Sequence, residues 1–140
     1  MPYDPAHEAI LNKILATFES CDAEATANLY EEDADYYLYP DVIKGRAAIK
    51  ESMEDWFTAF PDTKWELQNL MSSGDTFVAE GIFKGTHSGP MRTPDGEIPA
   101  TGRTVEMPCC FIGRVSENGL IAEDRTYLNA AIMMEQLGLT

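Results

Sequence analysis

The sequence predicts an α+β fold: a curved antiparallel sheet shaped into a cone-like barrel, with helices packed on its concave face. Three observations predict it. Apolar residues recur at the helical period as far as Phe60. Beyond Pro61-Asp62 the period drops to two. Turn-forming stretches, notably Glu117-Asn118-Gly119, then divide the second half into the strands of an antiparallel meander.

The elements follow in order. Asp4-Pro5 starts the first helix, with Asp as N-cap and Pro in the first turn. Ile10, Ile14 and Phe18 lie four apart on one face, and the helix ends near Ser20. Asp22 caps a second, shorter helix expected to run to about Glu31. Ala34 to Tyr39 reads as a short strand closed by Pro40-Asp41. A third helix covers Arg46 to Phe60, with Ile49, Met53, Trp56, Phe57 and Phe60 at helical spacing. Trp65 and Leu67 then alternate with Glu66 and Gln68 as a strand. Ser72-Ser73-Gly74-Asp75 turns the chain into a second long strand, Thr76 to Gly85, where Gly81 and Gly85 predict bends or bulges. Gly89 to Gly102 reads as a long loop. Thr104 to Val115 and Leu120 to Asn129 are the last strands, and Ala130 to Leu137 is a closing helix stopped by Gly138.

Length and composition narrow the function. A chain of 140 residues is expected to form one domain over residues 1–140, large enough to fold on its own core. The net charge of −14 and the lack of a basic stripe argue against nucleic-acid and anionic-membrane partners. No apolar run approaches a membrane span, and the Met1 to Pro5 segment lacks the features of a signal peptide, so a cytoplasmic location is expected. The three cysteines, Cys21, Cys109 and Cys110, fit neither a disulfide framework nor a zinc spacing. Buried, reduced thiols are expected, and no metal or other cofactor. The helix-covered concave sheet is a place for a small organic ligand.

Several stretches carry a family resemblance. They are Gly45-Arg46-Ala47-Ala48-Ile49, Phe60-Pro61-Asp62, Gly85-Thr86-His87-Ser88-Gly89, Pro99-Ala100-Thr101-Gly102-Arg103, Asn118-Gly119-Leu120-Ile121 and Gln136-Leu137-Gly138-Leu139. In this order, over nearly the whole chain, they resemble the SnoaL-like polyketide cyclases. These belong to the wider nuclear-transport-factor-two-like superfamily, with ketosteroid isomerase and limonene epoxide hydrolase. The resemblance implies a cofactor-free α+β barrel that dimerises through the outer face of its sheet. It places the cyclases' acid/base carboxylate at Thr126 and the preceding histidine at Asp124. The polar pair on the previous strand falls at Cys109 and Phe111, and the aspartate often found before the closing helix is Asn129. The two aspartates and arginine of limonene epoxide hydrolase have no match.

Candidate site residues follow from both lines. Asp124 shares a strand face with Ala122, Thr126 and Leu128. If that face looks inward, burial raises the carboxyl pKa and makes Asp124 a general acid/base. If it looks outward, Asp124 is solvated or paired with Arg114 or Arg125. His87 is either a second proton-transfer group or a structural histidine holding the loop after it. Tyr39, before Pro40, is either an oxyanion donor or a wall residue beside Tyr37. Trp56, Phe57, Phe60 and Trp65 read as core and pocket wall. Arg103 pairs with a loop carboxylate or meets an acidic substrate. His7 reads as a surface residue. With Asp124 inward, Ile121 and Tyr127 fall on the outer face, and their burial against a second copy predicts a homodimer.

Two functions remain open from the sequence. One is an enzyme performing cyclisation or isomerisation on a hydrophobic, carbonyl-bearing substrate such as a polyketide. It would use Asp124, His87 and Tyr39 for catalysis and Tyr37, Trp56, Phe60, Cys109, Phe111 and Thr126 for binding. The other is a non-catalytic small-ligand-binding domain of the same fold.

Overall fold

A computed structural model of the chain describes residues 2–139. The elements are α1 (Pro5–Glu19), α2 (Ala23–Ala27), β1 (Tyr30–Leu38), β2 (Asp41–Lys44), α3 (Arg46–Ala59), β3 (Lys64–Ser73), β4 (Thr76–Thr86), β5 (Met91–Thr93), β6 (Gly96–Ile98), β7 (Thr104–Val115), β8 (Ile121–Leu128) and α4 (Ala130–Gln136). The α+β layout is the one the sequence predicts. A curved sheet of six strands, in the order β2-β1-β8-β7-β4-β3, is covered by helices.

Two details differ from the expected sheet. It does not close into a barrel, since β2 and β3 are its edges. It is also mixed, because β1 runs parallel to β8 and pairs Tyr36 with Asp124. Strands β3, β4, β7 and β8 form the antiparallel meander, and β1 joins the free side of β8 from far upstream. A parallel pair needs such a long connection, here running through α3 and the meander.

Side-chain caps set the helix starts. The Asp4 carboxylate accepts from Ala6 N–H at 2.9 Å, and that of Asp22 accepts from Ala25 N–H at 3.0 Å. Helix α2 stops at Ala27 instead of near Glu31. Tyr30, Ala34 and Tyr36 turn into the core, and this burial draws residues from Tyr30 onward into β1. The acidic run Glu31-Glu32-Asp33 hides the strand from any reading by period. Two further hairpins were not expected. β1 pairs with β2 through a turn at the cis Tyr39–Pro40 bond. β5 pairs with β6 inside the stretch read as loop, closed by a Thr93 hydroxyl that donates to Gly96 O at 2.7 Å.

The core lies between the sheet's inner face and the helices. Phe77, Ala79 and Phe83 of β4 alternate inward, as do Val105, Met107 and Phe111 of β7. They meet Leu11 and Ile14 of α1 and Ile49, Met53 and Phe57 of α3. His7 belongs to this layer and is not a surface residue. It is 4% exposed, its ring packs on Phe77, and its Nδ1 lies 2.8 Å from the Ser72 hydroxyl. Ile121 is also buried, because an irregularity between Arg114 and Val115 shifts the β7–β8 register and turns it inward.

A bulge lies opposite Gly81, in β3 and not within β4 where the glycines suggested it. Register shifts between Leu67 and Asn69, opposite Gly81. A Cβ at Gly81 would collide with the Glu66 carbonyl and come within 2.6 Å of the Trp65 ring. Gly81→Ala is therefore expected to destabilise the fold by about 1–3 kcal/mol, read as a lower urea midpoint at unchanged slope. An unchanged midpoint would show that β3 gives way at no cost.

Candidate functional site

Strand β8 divides its side chains between two surroundings. Asp124, Thr126 and Leu128 face a cavity under the helices, while Glu123, Arg125 and Tyr127 face outward. The neighbouring strands complete the wall. Tyr36 stands beside Asp124 across the β1–β8 ladder, and Phe111 and Cys109 stand beside Thr126 and Leu128 across β7–β8. Helix α3 adds Met53, Trp56 and Phe57, and β3 adds Trp65. The half-buried residues Leu38, Ser52 and Leu128 form part of the rim.

The cavity volume is about 100 Å³, measured as space open to the centre of a water-sized sphere. One water needs about 10–15 Å³ on that measure. The space therefore suits a compact organic molecule of one or two rings. Its wall is largely apolar, with few polar groups, as ligand sites usually are.

Asp124 is the only carboxylate in this wall among the described residues. It is 3% exposed. Its Oδ2 accepts from the Tyr30 hydroxyl at 2.6 Å and its Oδ1 from the Thr126 hydroxyl at 2.8 Å. Burial pushes its pKa up to about 6, and the two hydrogen bonds pull the other way. Tyr30 stays protonated, since burial and the neighbouring carboxylate hold its pKa well above the ordinary value. Burial, and then Asp124, also raise the pKa of Tyr36. The Cys109 thiol is pushed up to about 11, chiefly by burial, which keeps it a thiol.

Thr126, Cys109, Phe111 and Trp56 thus line the same cavity as Asp124. The other sequence candidates lie elsewhere. Tyr39 is 52% exposed, on the outer face. Its hydroxyl accepts from Arg125 Nη1 at 3.0 Å, and its ring packs against Tyr127. Tyr37 is on that face too, with the Arg125 guanidinium 4.2 Å above its ring. The reason is the β1 pleat: the strand turns Tyr36 toward Asp124, so Tyr37 and Tyr39 point away. Phe60 is fully buried behind the wall, packed on Trp56, Phe83 and His87.

His87 does not line the cavity. It is fully buried, with its Nδ1 accepting from Thr101 N–H at 3.3 Å. Its backbone bonds Arg103 O and Gly102 N–H, so it ties together the two ends of the segment carrying β5 and β6. These bonds hold the loop that follows it. Arg103 lies over Gly138 beyond α4. Among the described residues, no group of three or more His, Cys, Asp or Glu could hold a metal ion. No helix among them is long and apolar enough to cross a membrane.

A family model described as SnoaL-like polyketide cyclase matches residues 8–137. The chain belongs to the SnoaL-like polyketide cyclase family. No curated protein matches this SnoaL-like chain. Among solved structures with its fold, TsrD from Streptomyces laurentii is 22% identical, with 97% of each chain covered and a TM-score of 0.83. AclR from Streptomyces galilaeus, described as a candidate hydroxylase, is 20% identical, with 97% of this chain and 83% of that one covered and a TM-score of 0.82. IdmH from Streptomyces antibioticus, described as a candidate polyketide cyclase, is 25% identical, with 94% and 97% covered and a TM-score of 0.74.

Tyr30 and Tyr36 escaped the sequence reading. Tyr30 fell inside the overlong second helix, and Tyr36 came just before Tyr37 and Tyr39, which looked more suitable. The signal for Tyr36 was its shared alternation with Ala34 and Leu38. The Tyr30 hydrogen bond favours the ionised carboxyl of Asp124. Tyr30→Phe removes it, so the Asp124 pKa is expected to rise further above about 6. Carboxyl titration by ¹³C NMR reads the shift, and an unmoved pKa would mean that Tyr30 does not stabilise the ionised form.

Proposed function

We propose that this protein carries out cofactor-free proton transfer on a small, hydrophobic, carbonyl-bearing substrate, leading to cyclisation or isomerisation. The observation that carries this reading is the lone buried carboxylate of Asp124 in an apolar cavity, with its pKa raised to about 6. Such a carboxylate is ionised at neutral pH, yet a stronger base than a solvated one.

Asp124 takes a proton from the carbon next to the substrate carbonyl. The electron pair of that C–H bond moves toward the carbonyl oxygen. Tyr36, beside Asp124 and facing the same cavity, donates a hydrogen bond to the developing oxyanion. In an isomerisation the proton returns to another carbon of the substrate. In a cyclisation the enolate carbon attacks a second carbonyl, and the proton goes to the new alkoxide. Tyr36 takes over the part that the sequence reading gave to Tyr39 or His87.

One observation favours the second reading, a non-catalytic binding domain. Both Asp124 oxygens already accept a hydrogen bond, as in a purely structural network. Exchange of the α-hydrogens of 2-tetralone for deuterium, followed by NMR, separates the two. The native protein is expected to speed exchange, with a rate that rises with pH through about 6 as Asp124 ionises. Asp124→Asn keeps the shape and is expected to lower the protein-dependent rate by ~10²–10⁴-fold. Equal rates with and without the carboxylate would leave only the binding reading.

We also propose a homodimer formed through the outer face of the sheet. Tyr39, Tyr127 and Met71 are about half exposed there, at 52%, 46% and 53%. A second copy covers such a face in the usual symmetric way. Sedimentation at micromolar concentration is expected to give the dimer mass, and Tyr127→Asp to shift it toward the monomer. A monomer mass for the native chain would refute the assembly.

A further inference from the structure

Among the described residues, the cavity lining holds a negative charge and no positive one. None of its lining residues is Lys, Arg or His. The groups around the carboxylate are neutral: the Tyr30 and Thr126 hydroxyls donate to it, and Tyr36 of β1 and Cys109 of β7 are kept protonated by burial. Arg125 is one residue along the same strand but lies on the opposite face. There its Nε donates to Glu123 at 2.6 Å, and its guanidinium covers Tyr37. Hydroxyl donors lower the cost of burying Asp124 but leave its net charge in place.

The rest of the wall suits the missing cation. Tyr30, Tyr36, Trp56, Phe57, Trp65 and Phe111 all border the cavity. Aromatic faces attract cations, and more strongly when water is excluded. A primary ammonium is strongly hydrated and loses much on entering an apolar space. Alkyl groups on the nitrogen reduce that loss and pack against the wall, while one remaining N–H can bond the carboxylate. The net charge of −14 also raises the local concentration of cations around the protein.

We infer that this cavity is a binding site for a small tertiary ammonium compound, with its N–H⁺ on the Asp124 carboxylate and its apolar substituents against the aromatic wall. A volume of about 100 Å³ suits a ligand of one or two rings, here one ring with short alkyl arms. The pairing does not depend on proton transfer by Asp124, so it goes beyond the proposed function.

The test compares N,N-dimethylbenzylamine with isobutylbenzene, its neutral carbon isostere. Trp56 and Trp65 line the cavity, so their fluorescence reports binding. At pH 7.5 the amine is expected to bind at least about tenfold more tightly, a difference of about 1.4 kcal/mol. That advantage is expected to fade as pH drops through about 6, where Asp124 takes up its proton. Asp124→Asn is expected to abolish it. In the native protein, bound amine is expected to pull the carboxyl titration below about 6, a readout that survives if the variant fails to fold. Equal binding of the isostere, or an Asp124 titration unmoved by bound amine, would overturn the inference and leave the neutral carbonyl substrate standing. Amine binding without any exchange of 2-tetralone would remove the proposed chemistry alone.

Discussion

The burial of one carboxylate organises this molecule. Asp124 on β8 is held by Tyr30 from the start of β1 and by Thr126 from its own strand. The Tyr30 bond spans the parallel β1–β8 pair, the junction where the upstream strand joins the meander. The arrangement has a cost. A carboxyl moved from about 3.9 to about 6 binds its proton more tightly in the folded chain than in the unfolded one. Its contribution to stability is therefore fully present below about pH 4 and is lost as pH rises through about 6. Two pKa units correspond to about 3 kcal/mol. At neutral pH the apolar core offsets that amount to keep an ionised group in the cavity wall.

The family's scaffold is kept, and the buried carboxylate on its last strand is Asp124. The resemblance implies that the cyclases' carboxylate position falls on Thr126; the buried carboxylate seen here is two residues earlier, on the same face of the same strand. A strand repeats its facing every two residues, so both positions face the cavity and lie about 6–7 Å apart along the strand. The Thr126 hydroxyl donates to the carboxylate beside it and so helps orient it.

Much of the fold was legible because it rests on local signals. The caps at Asp4 and Asp22, the apolar stripe of α3 and the alternation in β4 and β7 are each written within a few residues. What escaped depends on partners far along the chain. Tyr30 is a strand residue because Ile121 pairs with it, and no neighbour in sequence announces that. The site was legible for the same reason only in part. Asp124, Thr126, Cys109 and Phe111 sit on long strands whose alternation is plain. Tyr37 and Tyr39 were assigned to the pocket because nothing local says which face of β1 looks inward. The parallel pairing with β8 decides it, by placing Tyr36 beside Asp124. His87 shows the limit of residue type as a guide, since its chemistry fits an active site while its hydrogen bonds serve a loop.

The two faces of β8 explain why charge behaves differently a single residue apart. Outside, Arg125 meets Glu123, Tyr37 and Tyr39, and every partner of the guanidinium is supplied by the protein. Inside, Asp124 receives hydroxyl donors and no cation. A pair completed within the protein adds structure and leaves nothing for a ligand to do. A charge stabilised but left unpaired is a demand that only a ligand or a proton can meet. The alternation that builds any strand is here the device that keeps the available arginine from the carboxylate. Turning Arg125 inward would require slipping β8 by one residue, which would expose Ile121 and Thr126 and bury Tyr127. The register that protects the core therefore also keeps the cavity charge free.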